Sequence, residues 1–203
     1  MELKIDHITK KYGDKVALND VSIQLQPGIY GLLGPNGAGK STLINIIVQL
    51  LSPTQGSIRF DGKDISKMGA EYRSLLGYLP QTVGLYKNFT GRQMLSYLAS
   101  LKGLPEDQKQ EQVAQVLEMV NLTQDADRKI GRYSGGMRQR IGIAQALLGD
   151  PKILIFDEPT AGLDPKERIR FMNILSELSS DKIILLATHI VSDVEHIAHF
   201  VLF

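Results

Sequence analysis

The sequence predicts an α/β fold built on a mostly parallel sheet whose two faces are covered by helices. Short, continuous apolar strands alternate with helical segments in both the first and the last third of the chain. Between them, over about residues 85–148, apolar residues recur with a helical period, which predicts an inserted helical portion. A glycine-rich loop also joins a predicted strand to a predicted helix, an arrangement typical of ligand sites at the carboxyl edge of such sheets.

The first third predicts four strands and one helix. Residues 3–8 and 21–25 alternate apolar and polar side chains, which is typical of strands with one buried face. Residues 29–33 form a continuous apolar strand, and the glycine-rich loop after it leads into a helix over about 40–50. Residues 57–62 predict a strand that closes in a turn.

The middle third predicts amphipathic helices, and the last third returns to strands. Pro105 lies near the start of the second helix, where its missing N–H costs little. Residues 153–156 and 183–187 predict buried strands on either side of a helix over 165–178. The two apolar stripes of the middle third are Met94, Leu95, Leu98 and Leu101, followed by Val113, Val116, Leu117 and Val120.

Composition excludes several classes of protein. The 203 residues are 43% hydrophobic and 22% charged, which is ordinary for a folded domain and unlike a disordered chain. The formal net charge of +1 provides no overall field for nucleic acid, so none is expected as a partner. Without cysteine there is no disulfide, thiolate metal site or cysteine nucleophile. The longest apolar-rich stretch, residues 43–51, is far shorter than the roughly 20 residues of a membrane span.

The glycine-rich loop matches the pattern G-x-x-x-x-G-K-[ST] between a strand and a helix. Glycines let backbone N–H groups curl into an anion cradle, and the helix N-terminus adds its positive dipole end. Lys40 is placed to neutralise the β- and γ-phosphates of a nucleotide, and Ser41 places a hydroxyl on Mg²⁺. The predicted cradle consists of Gly34, Pro35, Asn36, Gly37, Ala38 and Gly39, with Thr42 following Ser41.

Two further patterns carry chemistry. Asp157 and Glu158 end a buried strand, so they are expected at the sheet edge, where Asp157 holds Mg²⁺ and Glu158 deprotonates the attacking water. Taken alone, two acids after a strand are also typical of a solvated turn. Ser134, Gly135 and Gly136 open a helix and create a second helix N-terminus suited to anions, although a simple N-capped helix start explains them equally well.

Together these motifs, in this order with Ala161-Gly162-Leu163-Asp164 and His189, resemble the nucleotide-binding domain of ATP-binding cassette (ABC) transporters. The resemblance covers nearly the whole chain and extends to bacterial stand-alone ATPase subunits that pair with a separate membrane protein. It implies a P-loop NTPase core with a mostly parallel sheet, N-terminal antiparallel strands and an inserted helical subdomain. One domain over 1–203 is expected, with a core at 1–84 and 150–203 and a helical subdomain at about 85–149.

The resemblance also implies roles for individual residues. Tyr12 would stack on adenine, although it could equally be a half-buried tyrosine at a strand end. Gln81 would reach Mg²⁺ and the attacking water, and His189 would contact the γ-phosphate. The implied catalytic set is Glu158, His189, Gln81 and Lys40, the metal set is Ser41, Gln81 and Asp157, and ATP and Mg²⁺ are the implied ligands.

The implied function is ATP hydrolysis coupled to transmembrane transport by a subunit located in the cytoplasm, peripherally on the inner face of the cell membrane. Two such domains, as a homo- or heterodimer, would enclose two ATP molecules, with Ser134, Gly135 and Gly136 serving the ATP of the opposite subunit and Asp164 lying at the seam. The helical subdomain would dock on an integral membrane subunit. Candidate contacts, which could instead pack within the subdomain, are Val83, Leu85, Tyr86 and Phe89.

The sequence departs from the family pattern in three places. Tyr133 and Met137 stand where the family most often has Leu and Gln, which predicts different local packing. The chain ends at residues 199–203 inside a predicted strand, so a cassette truncated at its C-terminus is expected, with a naturally short cassette as the alternative. Two alternatives remain open: a soluble ABC-type ATPase without transport, and an unrelated P-loop enzyme such as a GTPase or kinase, although no N-K-x-D guanine motif is present.

Overall fold

The computed structural model describes residues 1–35, 37–195 and 197–202, and for Val201 and Leu202 it describes the backbone alone. The strands are β1 Leu3–Tyr12, β2 Lys15–Leu25, β3 Gly28–Leu33, β4 Gln55–Phe60, β5 Lys63–Asp64, β6 Leu76–Leu79, β7 Ile153–Asp157, β8 Ile183–Thr188 and β9 Phe200–Leu202. The α-helices are α1 Lys40–Ile47, α2 Ile65–Met68, α3 Ala70–Ser74, α4 Gly91–Leu101, α5 Glu106–Met119, α6 Gly135–Leu147, α7 Pro165–Leu178 and α8 Val191–Val194.

The strands form one antiparallel and one parallel sheet. The antiparallel sheet has the order β2-β1-β4-β5, and shifts of register in β1 make it irregular. The parallel sheet has the order β6-β7-β8-β3-β9. The prediction of a parallel sheet accompanied by N-terminal antiparallel strands is therefore confirmed.

Both faces of the parallel sheet are buried. In β7, Leu154 and Phe156 pack into a core shared with α4, α5, α6 and α7, whereas Ile153 and Ile155 face a second core. The second core also contains α1 and the inner face of the antiparallel sheet. Because both faces are covered, β7 and β8 consist of continuous apolar runs rather than alternating ones.

The helical portion shares its core with the sheet. Leu95 of α4, Leu117 of α5 and Ile141 of α6 belong to the same buried cluster as Leu154 and Phe156. One helix, α6, also lies close to β6, because a Cβ placed on Gly77 would fall 2.0 Å from the carbonyl oxygen of Ala146. The division into a core at 1–84 and 150–203 and a helical subdomain at about 85–149 stays a prediction.

Local signals in the sequence explain several helix boundaries. Asp164 caps α7 by accepting a hydrogen bond from the Glu167 N–H at 2.9 Å, and Pro165 occupies the first turn. In contrast, α1 ends at Ile47 rather than near residue 50, because Gln49 adopts a positive φ of 62° that turns the chain away. Within the part of the chain that the structure describes, no helix combines the length and apolarity needed to cross a bilayer.

Candidate functional site

Three loops that follow neighbouring parallel strands meet at the carboxyl edge of the sheet. The glycine-rich loop follows β3, Asp157 and Glu158 lie at the end of β7, and His189 follows β8. Since β7, β8 and β3 are adjacent in the sheet, the three loops lie side by side. This edge is where open α/β sheets bind ligands.

The glycine-rich loop adopts a backbone that only glycine accepts easily. Gly37 and Gly39 have φ values of 86° and 97°, and Gly39 is also the N-cap of α1. A Cβ on Gly39 would lie 2.6 Å from the carbonyl oxygen of Ala17, so the loop packs directly against β2. Among the described residues no side chain caps α1, so its first N–H groups are available to bind an anion. Asn36, which was predicted to belong to the cradle, lies outside the described residues.

Lys40 and the Asp157 carboxyl group lie close to one another in this site. The Lys40 ammonium donates hydrogen bonds to the carbonyl oxygens of Gly34 and Pro35, the second at 3.1 Å. Burial and the neighbouring Glu158 charge raise the pKa of Asp157, and the charge of Lys40 and a hydrogen bond from Ser41 partly oppose that rise. A buried carboxylate with incomplete charge compensation is suited to receive a cation.

Glu158 is held in a strained and directed position. Its φ of 53° is unusual for a residue with a side chain, and its N–H donates to the Ala187 carbonyl oxygen at 2.8 Å. The Glu158 side chain is 11% exposed, and its Oε1 lies 2.9 Å from Nδ1 of His189, which is 64% exposed. The imidazole therefore orients a nearly buried carboxylate from the solvent side.

Half of the predicted site residues line one cleft of about 490 Å³. Lys15 and Ala17 also line it, although the sequence did not identify them. The signal that could have found them is the β1–β2 hairpin, in which Lys15 pairs with Tyr12 and so reaches the same rim. The predicted residues that line the cleft are Tyr12, Gly37, Gly39, Lys40, Ser41, Thr42, Gln81, Asp157 and Glu158.

The second glycine cluster lies outside this cleft. Ser134 caps α6, its side chain accepting a hydrogen bond from the Met137 N–H at 3.2 Å, as predicted. A Cβ on Gly136 would lie 3.0 Å from the Gly162 carbonyl oxygen, which brings this helix start beside the loop that precedes Asp164. Gln139 joins the two sites because its amide donates to the Pro159 carbonyl oxygen at 2.9 Å, directly after Glu158.

The unusual Tyr133 is explained by its packing. Its side chain is 3% exposed, and its hydroxyl donates to the Asp125 carbonyl oxygen at 2.7 Å. Gly91 makes room for it, since a Cβ at that position would lie 2.4 Å from the Tyr133 hydroxyl. The large side chain of Tyr133 therefore packs against a glycine, Gly91, that leaves room for it.

The four predicted docking residues do not behave alike. Val83, Leu85 and Phe89 pack partly against the helical core, whereas Tyr86 is 54% exposed. Tyr86, Phe89 and Tyr97 form an aromatic cluster, with ring centroids 5.2 to 6.1 Å apart. The sequence did not single out Tyr97, which lies on α4 and is 41% exposed.

Comparison with known proteins identifies one family of similar proteins. The profile of the family described as ABC transporter matches residues 18–161. An uncharacterized ABC transporter ATP-binding protein of Bacillus subtilis (strain 168) is 40% identical over 196 residues, covering 96% of this chain and 65% of that protein. The chain thus spans about two thirds of the length of the curated relatives it matches.

Solved structures show the same fold. An ATP-binding subunit of an ABC transporter has a TM-score of 0.90 and 30% identity, covering 100% of this chain and 86% of that one. A dimeric cassette in a post-hydrolysis state bound to ADP and Pi has a TM-score of 0.84 and 28% identity, covering 94% and 89%. The family profile and these likenesses exclude an unrelated P-loop enzyme, and the chain belongs to the ATP-binding cassette (ABC) transporter family.

Proposed function

We propose that this chain binds and hydrolyses ATP as the energy-supplying subunit of a transporter. The observation that carries the proposal is the convergence in one cleft of a glycine-rich anion cradle, Lys40, and the adjacent acids Asp157 and Glu158. A cradle and a lysine bind phosphates, and a nearly buried acid oriented by His189 is suited to take a proton from an attacking water. The ADP- and Pi-bound relative supports the same chemistry.

In the proposed mechanism the glycine-rich loop and Lys40 bind the triphosphate and neutralise its negative charge. The Lys40 ammonium now satisfies two loop carbonyls, so on binding it exchanges these for phosphate oxygens without moving far. Tyr12 is 49% exposed at the rim of the cleft, where its ring is available to stack on adenine. Thr42 and the loop backbone complete the proposed phosphate contacts.

Mg²⁺ fits the donor set of this cleft. Ser41, Asp157 and Gln81 offer hydroxyl, carboxylate and amide oxygens, the hard ligands that Mg²⁺ prefers. Within the described residues no group of three histidine, cysteine, aspartate or glutamate side chains is placed to hold a metal ion, so Mg²⁺ here would complete its coordination with substrate phosphates and water. When bound, Mg²⁺ would supply positive charge to the phosphate oxygens.

Glu158 is proposed as the general base. Its carboxylate takes a proton from water as the water attacks the γ-phosphorus, and the bond from that phosphorus to the oxygen bridging to the β-phosphate breaks, so that ADP and phosphate leave. His189 keeps the carboxylate in place and contacts the γ-phosphate. Gln81 lies across the same cleft, where its amide is positioned to orient that water. The Lys40 charge stabilises the negative charge that develops on the transferring group.

Nucleotide binding is tested by fluorescence anisotropy with a labelled, non-hydrolysable ATP analogue, with Mg²⁺ and with EDTA. Removing a charge-assisted hydrogen bond of about 1.5–3 kcal/mol should weaken binding by about 10- to 150-fold in Lys40→Met. Lys67→Met, which removes an exposed lysine on α2 far from the cleft, is the matched control. Equal affinity in the two variants would contradict the proposed site.

We further propose that two copies of the cassette close around ATP. Among the atoms that the structure describes, a Cβ on Gly135 or Gly162 would meet none within 4 Å, so this surface is open to the backbone of another molecule, and Gly37 on the phosphate loop is equally open. Placing one open surface on the other puts Ser134, Gly135 and Gly136 at the nucleotide of the opposite subunit, with Asp164 at the seam. The dimeric relative supports this arrangement.

Light scattering after size exclusion tests the dimer. Glu158→Gln with Mg²⁺ and ATP should elute near 45 kDa, twice the 22.5 kDa of one chain. Adding Gly135→Asp places a negative charge against the opposing phosphates and should restore the monomer while nucleotide binding is retained. A Glu158→Gln protein that binds ATP and stays monomeric contradicts the dimer.

The proposed membrane contact is the aromatic cluster of Tyr86, Phe89 and Tyr97. The segment that carries it is fixed, because the Ile130 N–H donates to the Phe89 carbonyl oxygen at 2.8 Å. Rigid aromatic side chains that are half exposed are typical anchors of protein interfaces. The proposed partner is an integral membrane subunit, which would place the chain peripherally at the inner face of the membrane.

Co-purification with a multi-span membrane subunit from detergent-solubilised membranes tests the contact. Tyr86→Ala with Tyr97→Ala should abolish co-purification while ATP turnover and melting temperature stay unchanged. Leu50→Ala, which removes a 70% exposed apolar side chain after α1, is the control and should co-purify normally. Failure of the native chain to co-purify with any membrane subunit would favour a soluble ABC-type ATPase instead.

A further inference from the structure

One buried carboxylate takes no part in the mechanism above. Asp193 lies four residues after His189, in the short helix α8, and its side chain is 0% exposed. A fully buried negative charge is costly unless other groups compensate for it. Its partners therefore show which parts of the fold it holds together.

Both carboxylate oxygens of Asp193 are engaged by the segment that follows Glu158. The Thr160 hydroxyl donates a hydrogen bond to Oδ2 at 2.6 Å. The Arg168 guanidinium forms an ion pair with Oδ1 and also donates to the Ser192 hydroxyl at 2.8 Å. Arg168 in turn belongs to the first turn of α7, where its N–H donates to the Asp164 carbonyl oxygen at 2.9 Å.

The same carboxylate approaches the segment that carries His189. The Thr188 hydroxyl lies 3.5 Å from Asp193 Oδ2 and 3.5 Å from Glu158 Oε2, so it stands between the two acids. It also accepts a hydrogen bond from the Ile190 N–H at 3.0 Å, which shapes the turn at His189. Asp193 thus joins the loop after β8 to the loop after β7.

We propose that Asp193 is a positioning residue that keeps His189 against Glu158. Through Thr160 and Arg168 it fixes the His189 turn relative to the segment from Glu158 to Asp164, and so maintains the 2.9 Å contact between the His189 ring and the Glu158 carboxylate. Because Arg168 contacts both Asp193 and the Asp164 carbonyl oxygen, Asp193 also couples the position of His189 to that of the loop that ends at Asp164. Its effect on the reaction rests on the proposed hydrolysis of ATP, whereas its effect on the ring contact does not.

The ring contact is measured without nucleotide. Long-range NMR correlations between the carbon-bound ring protons and the ring nitrogens report the hydrogen bond at His189 Nδ1, and the signal is assigned by its loss in His189→Gln. Asp193→Asn keeps the shape of the side chain but removes its charge, and it should shift the His189 Nδ1 signal towards that of a free imidazole.

The matched control is Asp150→Asn at the opposite end of the sheet. Asp150 is exposed and forms an ion pair with the buried Lys182 just before β8, so the same chemical change breaks an ion pair with a buried partner far from His189. The control should lower the melting temperature and leave the His189 signal unchanged. An unchanged signal in Asp193→Asn, or an equal shift in both variants, overturns the proposal.

Two milder variants keep the test open if Asp193→Asn does not fold. Thr160→Val removes one hydrogen-bond donor with little change of volume, and Arg168→Gln removes the guanidinium from a side chain that is already one third exposed. Each should shift the His189 signal in the same direction as Asp193→Asn. If neither does so in a folded protein, Asp193 does not position the ring.

Steady-state kinetics give the second readout. Displacing a positioned group costs up to about 100-fold in rate, so kcat should fall by about 10- to 100-fold in Asp193→Asn with the KM for ATP within about two-fold. Arg168→Lys, which keeps the charge, should recover most of the loss relative to Arg168→Gln. A fall in kcat no larger than in Asp150→Asn overturns the proposal. If the native chain shows no ATP turnover but Asp193→Asn still shifts the His189 Nδ1 signal, the proposed hydrolysis is refuted and the positioning role is supported.

Discussion

Lys102 provides a quantitative test of the packing between the helical portion and the sheet. Lys102 directly follows α4, and its ammonium donates to the carbonyl oxygens of Leu148, which follows α6, at 2.7 Å and of Leu76 in β6 at 3.2 Å. Burial lowers the pKa of Lys102 from 10.5 to about 8. The substitution Lys102→Met keeps the apolar stem and removes the titrating group.

The sign of the effect follows from proton linkage. Below about pH 8 both the folded and the unfolded chain hold the proton, so the folded chain bears the full cost of the buried charge. Between about pH 8 and 10.5 the unfolded chain keeps a proton that the folded chain has lost. The free energy of unfolding of the native protein, relative to Lys102→Met, should therefore rise with pH over this window. The slope approaches about 1.4 kcal/mol per pH unit, and the total is roughly 2–3 kcal/mol after partial solvent screening.

Urea unfolding followed by circular dichroism measures this difference at pH values from 7 to 10.5. Comparing native protein with Lys102→Met cancels the other groups that titrate in the window, and Lys67→Met controls for the loss of a solvated lysine. The control should show no slope. A flat difference between native protein and Lys102→Met would refute the argument that Lys102 is desolvated.

Two further predictions concern packing. The hydroxyl of Tyr72 is buried and, among the described residues, has no hydrogen-bond partner, so Tyr72→Phe should raise the free energy of unfolding by about 1 kcal/mol in urea; a loss of stability would show that the hydroxyl is satisfied. Gly39→Ala adds both backbone strain and a clash with the Ala17 carbonyl, whereas Gly37→Ala adds strain alone. Without nucleotide, Gly39→Ala should therefore cost at least about 1 kcal/mol more stability than Gly37→Ala, and equal losses would contradict the close approach of loop and strand.

The sequence predicts those parts of the fold whose signals are local. Asp164 and Pro165 mark the start of α7, and Ser134 marks the start of α6, because a cap needs only neighbouring residues. The continuous apolar run before Asp157 predicts β7 because a strand buried on both faces has no polar alternation. The glycine-rich loop is predicted by its own spacing.

The remaining parts depend on contacts between distant residues. The strand β6 has only four residues and includes Gly77, whose missing side chain is required by the approach of α6 rather than by the strand itself. Lys15 reaches the cleft only because the hairpin pairs it with Tyr12. The contact of Glu158 with His189 joins residues that follow two different strands, and the ion pair of Arg168 with Asp193 joins two different helices. Spacing along the chain does not show either contact.

The most direct test of the proposed chemistry is the single-turnover hydrolysis of ATP in the presence of Mg²⁺ by the native chain and by Glu158→Gln. A general base contributes about 10²–10⁴ in rate, so Glu158→Gln should bind ATP with native affinity and hydrolyse it slower by that factor. Hydrolysis by Glu158→Gln at the native rate would contradict the assignment of this carboxylate as the base, and with it the account of the site.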